Sequence, residues 1–313
     1  MQVISAESIN TLLDWEGVIA ALYKAHLGPR PQGAGYFLGD AAFGVLSRGV
    51  LLPGSGAGIK IASMCPANGL AIPSRPMEDA AFIVIDEQTK AIAAILDGPA
   101  ITRWKTPADS VLAARKLSRE DSRVLLVLGG GPIAAALVDA YLHIRPSLEK
   151  VLLWNRTPEK LDATLAALTR RGLDVCIVDD LDQALSKADI VASATSSSSP
   201  LIRGEYVRHG THVDLLGGYR PDMQEADNTL MAKARIYVDD QANAASAGDI
   251  CIPLACGAMA ASQIEGDLFD LCQDAGFRRS GEDITVYKNA GGAQFDLIVS
   301  QYVIAQLARS SNR

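Results

Sequence analysis

The chain has 313 residues, 49% of them apolar and 21% charged, which suits about two globular domains with ample core and excludes a disordered chain. A net charge of −7 argues against a nucleic-acid or anionic-membrane surface, but leaves room for local cations that grip a small anion. Five scattered cysteines without a Cys-x-x-Cys pair indicate neither a zinc site nor a disulfide framework.

A reducing cytoplasm is therefore the expected location. Met1-Gln2-Val3-Ile4-Ser5 carries no export signal, and no apolar stretch reaches the roughly 18 residues that a membrane span requires. The histidines, His26, His143, His209 and His212, show no metal spacing, and no metal site is expected.

Ser5 and Asp14 are suited to capping helices, the second of which carries Val18, Ile19, Leu22 and Ala25 at helical spacing and stops at Gly28, Pro29 and Pro31. His26, in its last turn, is expected at the surface or pairing with the helix dipole. Short β-like runs follow at 43–52, 58–64, 81–86 and 92–96, separated by Gly, Pro and Asn. In Gly58-Ile59-Lys60-Ile61 the alternation turns Lys60 away from the apolar face, as either an anion-binding or a solvent-facing lysine would be. A helix over 101–116 then leads into the next strand.

That strand, Val124-Leu125-Leu126-Val127-Leu128, breaks into Gly129-Gly130-Gly131 and resumes as a helix at Pro132-Ile133-Ala134. Gly129 can make a tight turn, Gly131 lets backbone approach a pyrophosphate, and the helix offers free N–H groups and its positive dipole end. Alternating strands and helices follow as far as a strand at 212–216, with further strands at 236–238 and 284–287. The pattern predicts an α/β fold, a Rossmann-type doubly wound parallel sheet over 118–289. The closing helix, 295–308, has an apolar face that the N-terminal sheet can cover, so a second α+β domain built from 1–117 and 290–313 is expected.

At the end of the second Rossmann strand a carboxylate would accept from the ribose of NAD, but this chain has Asn155-Arg156-Thr157. A guanidinium and a hydroxyl there suit the 2′-phosphate of NADP, with NAD as the less favoured cofactor, while the plainer alternative is a solvated Arg156 and a Thr157-Pro158 helix start. Thr195 and Ser196 end a later strand on the edge where such sheets bind ligands, and are expected to line the path to the nicotinamide.

Several segments together resemble the ornithine cyclodeaminase/mu-crystallin family over nearly the whole chain: Asn68-Gly69-Leu70-Ala71-Ile72-Pro73-Ser74, Leu96-Asp97-Gly98, Ile101-Thr102 with Lys105-Thr106-Pro107-Ala108-Asp109-Ser110, Asn155-Arg156-Thr157, and Lys288-Asn289-Ala290-Gly291-Gly292. The resemblance implies a homodimer with a split substrate domain, and cofactor contacts from Ser74 and Thr106. It also implies that Lys60 binds the substrate carboxylate, helped by Lys105, which stands where most members have arginine, and by Arg48, a less securely aligned third cation.

True cyclodeaminases of the family follow their Gly-Gly pair with a catalytic aspartate, whereas Gly217-Gly218 is followed here by Tyr219 and only later by Asp222. The variant motifs are similar to those of Δ1-pyrroline-2-carboxylate and ketimine reductases. The expected reaction is reduction of a small cyclic imino acid, with solvent, Asp109 or Tyr219 as proton donor. Ornithine cyclodeamination, and a non-catalytic protein holding NADP and a small ligand, are the alternatives.

Overall fold

The computed structural model describes all residues except Ala41, Ser74, 274–279 and 312–313. It divides into two compact units, Met1–Lys105 with Gly292–Arg313, and Thr106–Gly291. The division falls inside one helix, Gly98–Leu117, whereas the sequence places a boundary at the end of that helix.

The first unit is built on a six-stranded sheet of β1 (Gln2–Ile4), β2 (Gln32–Gly39), β3 (Gly44–Leu52), β4 (Gly56–Met64), β5 (Glu78–Ile85) and β6 (Ile92–Asp97), in the order β1-β6-β5-β4-β3-β2. All neighbours are antiparallel except β1 and β6. β1 and β2 go beyond the strands expected. β1 is too short to show a period, and the glycines of Gln32-Gly33-Ala34-Gly35 mask β2.

Helices Trp15–His26 and Ala293–Ser311 pack together, and the second also lies on β3, β4 and β5. Val18, Ile19, Leu22, Phe82 and Phe295 are buried in this unit. His26 is buried and not at the surface, and of its two expected places it keeps the one at the helix end: its Nδ1 lies 2.8 Å from the Leu22 carbonyl oxygen and its ring stacks 5.4 Å from that of Phe295.

The second unit is an eight-stranded, wholly parallel sheet of β7 (Val124–Leu128), β8 (Lys150–Trp154), β9 (Asp174–Ile177), β10 (Ile190–Ser193), β11 (His212–Leu215), β12 (Arg235–Val238), β13 (Ile264–Asp267) and β14 (Thr285–Lys288). The order β13-β12-β14-β11-β10-β7-β8-β9 reverses direction between β7 and β10, the switch point where doubly wound sheets bind ligands beyond their C-terminal strand ends. β13, unforeseen, holds a glycine between two acidic residues. Leu126, Leu128, Val191, Val213, Leu215, Ile236 and Val286 form the core from successive strands, as parallel sheets covered on both faces require. No described helix is long and apolar enough to cross a membrane.

Candidate active site

At the β7 end the glycines do what their positions require. Gly129 has φ +125°, and a Cβ there would stand 2.6 Å from the Ala194 carbonyl oxygen, so only glycine lets this turn lie against the end of β10. A Cβ at Gly131 would meet nothing within 4 Å, so the space over this helix start is open for a ligand to approach backbone. Gly131 caps helix Pro132–Ile144 without a side-chain hydrogen bond, and Pro132, in the first turn, has no N–H to leave unpaired. Ile133 is half-buried behind it. This cradle fits the pyrophosphate of a dinucleotide.

Beyond β8, Asn155 is tied to the loop, its Nδ2 donating to the Thr157 carbonyl at 2.7 Å. Arg156 and Thr157 are exposed, and no carboxylate follows Trp154 directly. Thr157 is the N-cap residue of the short 3-10 helix Pro158–Leu161, with the proline in its first turn as the helix-start alternative has it, but its hydroxyl makes no capping bond. The helix expected from 158 is α-helical only over Asp162–Arg170.

Beyond β10, Ser196 is exposed, but Thr195 is engaged: its N–H and hydroxyl donate to Glu225 Oε1 at 2.8 and 2.7 Å. Ser193 donates to the same oxygen at 2.6 Å. Glu225 is fully buried, and burial pushes its carboxyl upward despite the nearby Lys288. Behind it, Asp249 accepts from the Glu225 N–H at 2.7 Å and pairs with Lys288 at 3.0 Å, both side chains being fully buried, while Lys288 also donates to the Gly217 carbonyl. Sequence reasoning quoted Lys288 in a motif but missed this cluster, since separations of tens of residues leave no local pattern.

Gly218 has φ +57°, and a Cβ there would collide with Asp249, which fixes the Gly217-Gly218 turn against the cluster. Tyr219 follows at the surface. Asp222 is exposed in a bidentate pair with Arg220, both contacts 2.9 Å, which holds its carboxyl below the usual range. It is an anchored surface ion, not a buried acid/base group.

Helix Gly98–Leu117 carries candidates in both units. In the second, the Thr106 carbonyl accepts from Asn289 at 3.1 Å, and buried Asp109 accepts from the Tyr287 hydroxyl at 2.6 Å, so Asp109 lies inside the fold and not on the helix surface. Ser110 donates to Asp214 at 3.0 Å and Tyr141 does so at 3.1 Å; burial nevertheless pushes Asp214 up to about 7. His212 begins β11 at the N-terminal end of the strand, away from the ligand-binding edge, and is buried with Nδ1 2.9 Å from the Thr285 hydroxyl.

In the first unit Lys60 and Lys105 come together on one acid that the sequence did not single out. Asp296 is 1% exposed and lies 3.3 Å from Lys60 and 3.5 Å from Lys105, whose side chains are 11% and 8% exposed. Lys60 also donates to the Thr102 hydroxyl at 2.8 Å, and Lys105 lies 5.8 Å from the centroid of the Phe295 ring. Burial would raise the Asp296 carboxyl, but the two ammonium groups outweigh it and hold it below the usual range. Arg48 stands directly across from Lys60 in the β3–β4 register, on the same face of the sheet. A first-turn acid in an apolar helix reads as a dipole partner, which conceals Asp296 in the sequence. Ser74 lies outside the described residues.

Residues 51–311 match the model of the ornithine cyclodeaminase/mu-crystallin family. A Δ1-pyrroline-2-carboxylate reductase of Paracoccus denitrificans is 39% identical over 98% of this chain and 97% of its own. Among solved structures, the iminosuccinate reductase of Paracoccus denitrificans with NAD+ is similar at TM-score 0.89 and 26% identity, covering 99% of this chain and 97% of its own. Thermococcus litoralis Δ1-pyrroline-2-carboxylate reductase, in complex with NADH and L-proline, shares the fold at TM-score 0.92 and 24% identity, covering 99% and 98%. With its glycine cradle, its paired lysines and these full-length matches, the chain belongs to the ornithine cyclodeaminase/mu-crystallin family.

Proposed function

We propose that this protein is an NADPH-dependent reductase of small cyclic imino acids, converting Δ1-pyrroline-2-carboxylate or its six-membered homologue to proline or pipecolate. The observation that carries the reading is the convergence of Lys60 and Lys105 on a single buried carboxylate, so that cations outnumber the acid where a substrate carboxylate would bind. The named relatives support reduction of an imino acid, and the neighbour holding NAD+ supports a nicotinamide cofactor. Preference for NADPH rests on exposed Arg156 and Thr157 in place of a ribose-binding acid.

A bound reduced nicotinamide supplies hydride to C2 of the protonated imine. The chain's own part is positioning: Lys60 and Lys105, with Arg48, hold the carboxylate and so fix the ring. Lysines do this as point charges, without the two-pronged geometry of arginine. Glu225 secures Thr195 beside the cofactor's path. Solvent is the favoured proton source, because Asp109 is already bonded to Tyr287. Cyclodeamination is disfavoured by Tyr219 and by the Asp222–Arg220 pair.

A homodimer is part of the same reading. Every residue of edge strand β2 is exposed, including Tyr36, Phe37 and Leu38, and an apolar unpaired edge suits a second copy of the chain.

The test is NADPH oxidation followed by absorbance with each cyclic imino acid, alongside ammonia release from ornithine. NADPH loss with an imine and no ammonia is expected. Failure with both imines, or ammonia without NADPH loss, contradicts the proposal.

A further inference from the structure

Two buried ammonium groups that converge repel each other, and a site made of them alone would favour ligands with two negative charges. Asp296 alters both properties. It sits in the first turn of helix Ala293–Ser311, with Oδ1 3.3 Å from Lys60 and Oδ2 3.5 Å from Lys105, so each oxygen holds one lysine. Thr102 fixes Lys60 further: its hydroxyl accepts from Lys60 and donates to the Gly98 carbonyl at 2.9 Å, which orients the lone pair toward the lysine. Phe295, next to Asp296, presents its ring to Lys105 and is backed by His26. Strands β3 and β4 therefore receive their acid from the far end of the chain, and Asp296 cancels one of the positive charges that Lys60, Lys105 and the facing Arg48 bring to this place.

We propose that Asp296 is a positioning and specificity-determining residue, which spaces Lys60 and Lys105 for one carboxylate and, by cancelling one of the site's positive charges, biases it toward monocarboxylate imino acids over dicarboxylate ones. This rests on the reading of the two lysines as the carboxylate site. Opposite charges within a few ångströms interact strongly where water is scarce, so removing the aspartate shifts selectivity toward dianions instead of merely weakening binding.

The experiment compares calorimetric binding of picolinate and dipicolinate, planar rings with one and two carboxylates, to wild type, Asp296→Asn, Asp296→Glu and Asp296→Asn with Lys105→Met. The ratio of dipicolinate to picolinate affinity is expected to rise at least ~10-fold in Asp296→Asn, following the added unit of positive charge. The double variant, whose charge is again that of wild type, returns toward the wild-type ratio even where the single variant is too unstable to purify. Asp296→Glu keeps the wild-type preference. In turnover, Asp296→Asn lowers kcat for Δ1-pyrroline-2-carboxylate while KM for NADPH stays as in wild type.

An unchanged ratio in the single variant, a double variant whose ratio does not return to that of wild type, or no picolinate binding by wild type would overturn the inference. A parallel loss of NADPH affinity would do so too, by showing a general structural role. If wild type oxidises no NADPH with either imine while the binding ratios shift as stated, the reductase reading fails and the role of Asp296 stands.

Discussion

In the first unit two lysines share one buried carboxylate, Asp296, whereas in the second a single buried lysine, Lys288, stands beside Asp249 and Glu225 and within the field of Asp214. The difference in balance decides the chemistry of each place. With cations in excess, the acid is held ionised, its carboxyl below the usual range. With acids in excess, burial wins at Glu225 and Asp214, whose carboxyls both move up to about 7. The first cluster is suited to taking up a carboxylate. The second fixes loops, joining the Gly217-Gly218 turn, Thr195 and the end of β14.

The comparison breaks most severely if Lys288 is removed. Lys288→Met leaves Asp249 buried without its ion-pair partner, a change expected to cost about 3–5 kcal/mol. Urea unfolding should show this loss, and a loss below about 1 kcal/mol would mean that the second cluster does not depend on its single cation.

A smaller effect is expected at the cofactor. Arg156→Ala should weaken NADPH binding about 10-fold, close to 1.4 kcal/mol, and leave NADH unchanged. Equal affinities for both cofactors in wild type, unaltered by the substitution, would remove the 2′-phosphate site.

A further effect concerns pH. Asp214 titrates at about 7 in the folded chain against an ordinary value of 3.8, so between these values the folded state binds more protons than the unfolded one. Stability from this group is therefore lost as pH rises through that window. Asp214→Asn, which does not titrate, should flatten the decline measured by unfolding across it. An unchanged slope would show that Asp214 is not protonated in the fold.

The cradle was legible because its requirements are local: a strand, glycines and a helix start occupy consecutive residues from Val124 to Ala134, and each has a geometric duty. The pairing of Lys60 with Lys105 was legible only through the family's motifs, since alternation alone favoured solvent for Lys60. Asp296 and Glu225 were not legible at all. The first meets Lys60 across 236 positions and the second meets Thr195 across 30, so neither contact leaves a spacing pattern. β2 escaped notice because glycines suppress a strand signal that pairing with β3 overrides. His26 shows the same limit, as helical position says where a residue sits along the axis but not that Phe295 will cover it.

The central claim, that the first unit's lysines read a carboxylate on a reducible imine, is tested most directly by the ratio of kcat/KM for Δ1-pyrroline-2-carboxylate to that for 1-pyrroline, which lacks the carboxylate, in wild type, Lys60→Ala and Lys105→Ala. A strong preference for the carboxylated ring is expected in wild type, with a fall in the ratio of about 10²-fold in each variant, equivalent to one lost charged contact of nearly 3 kcal/mol. A ratio that stays at its wild-type value in both variants would contradict it.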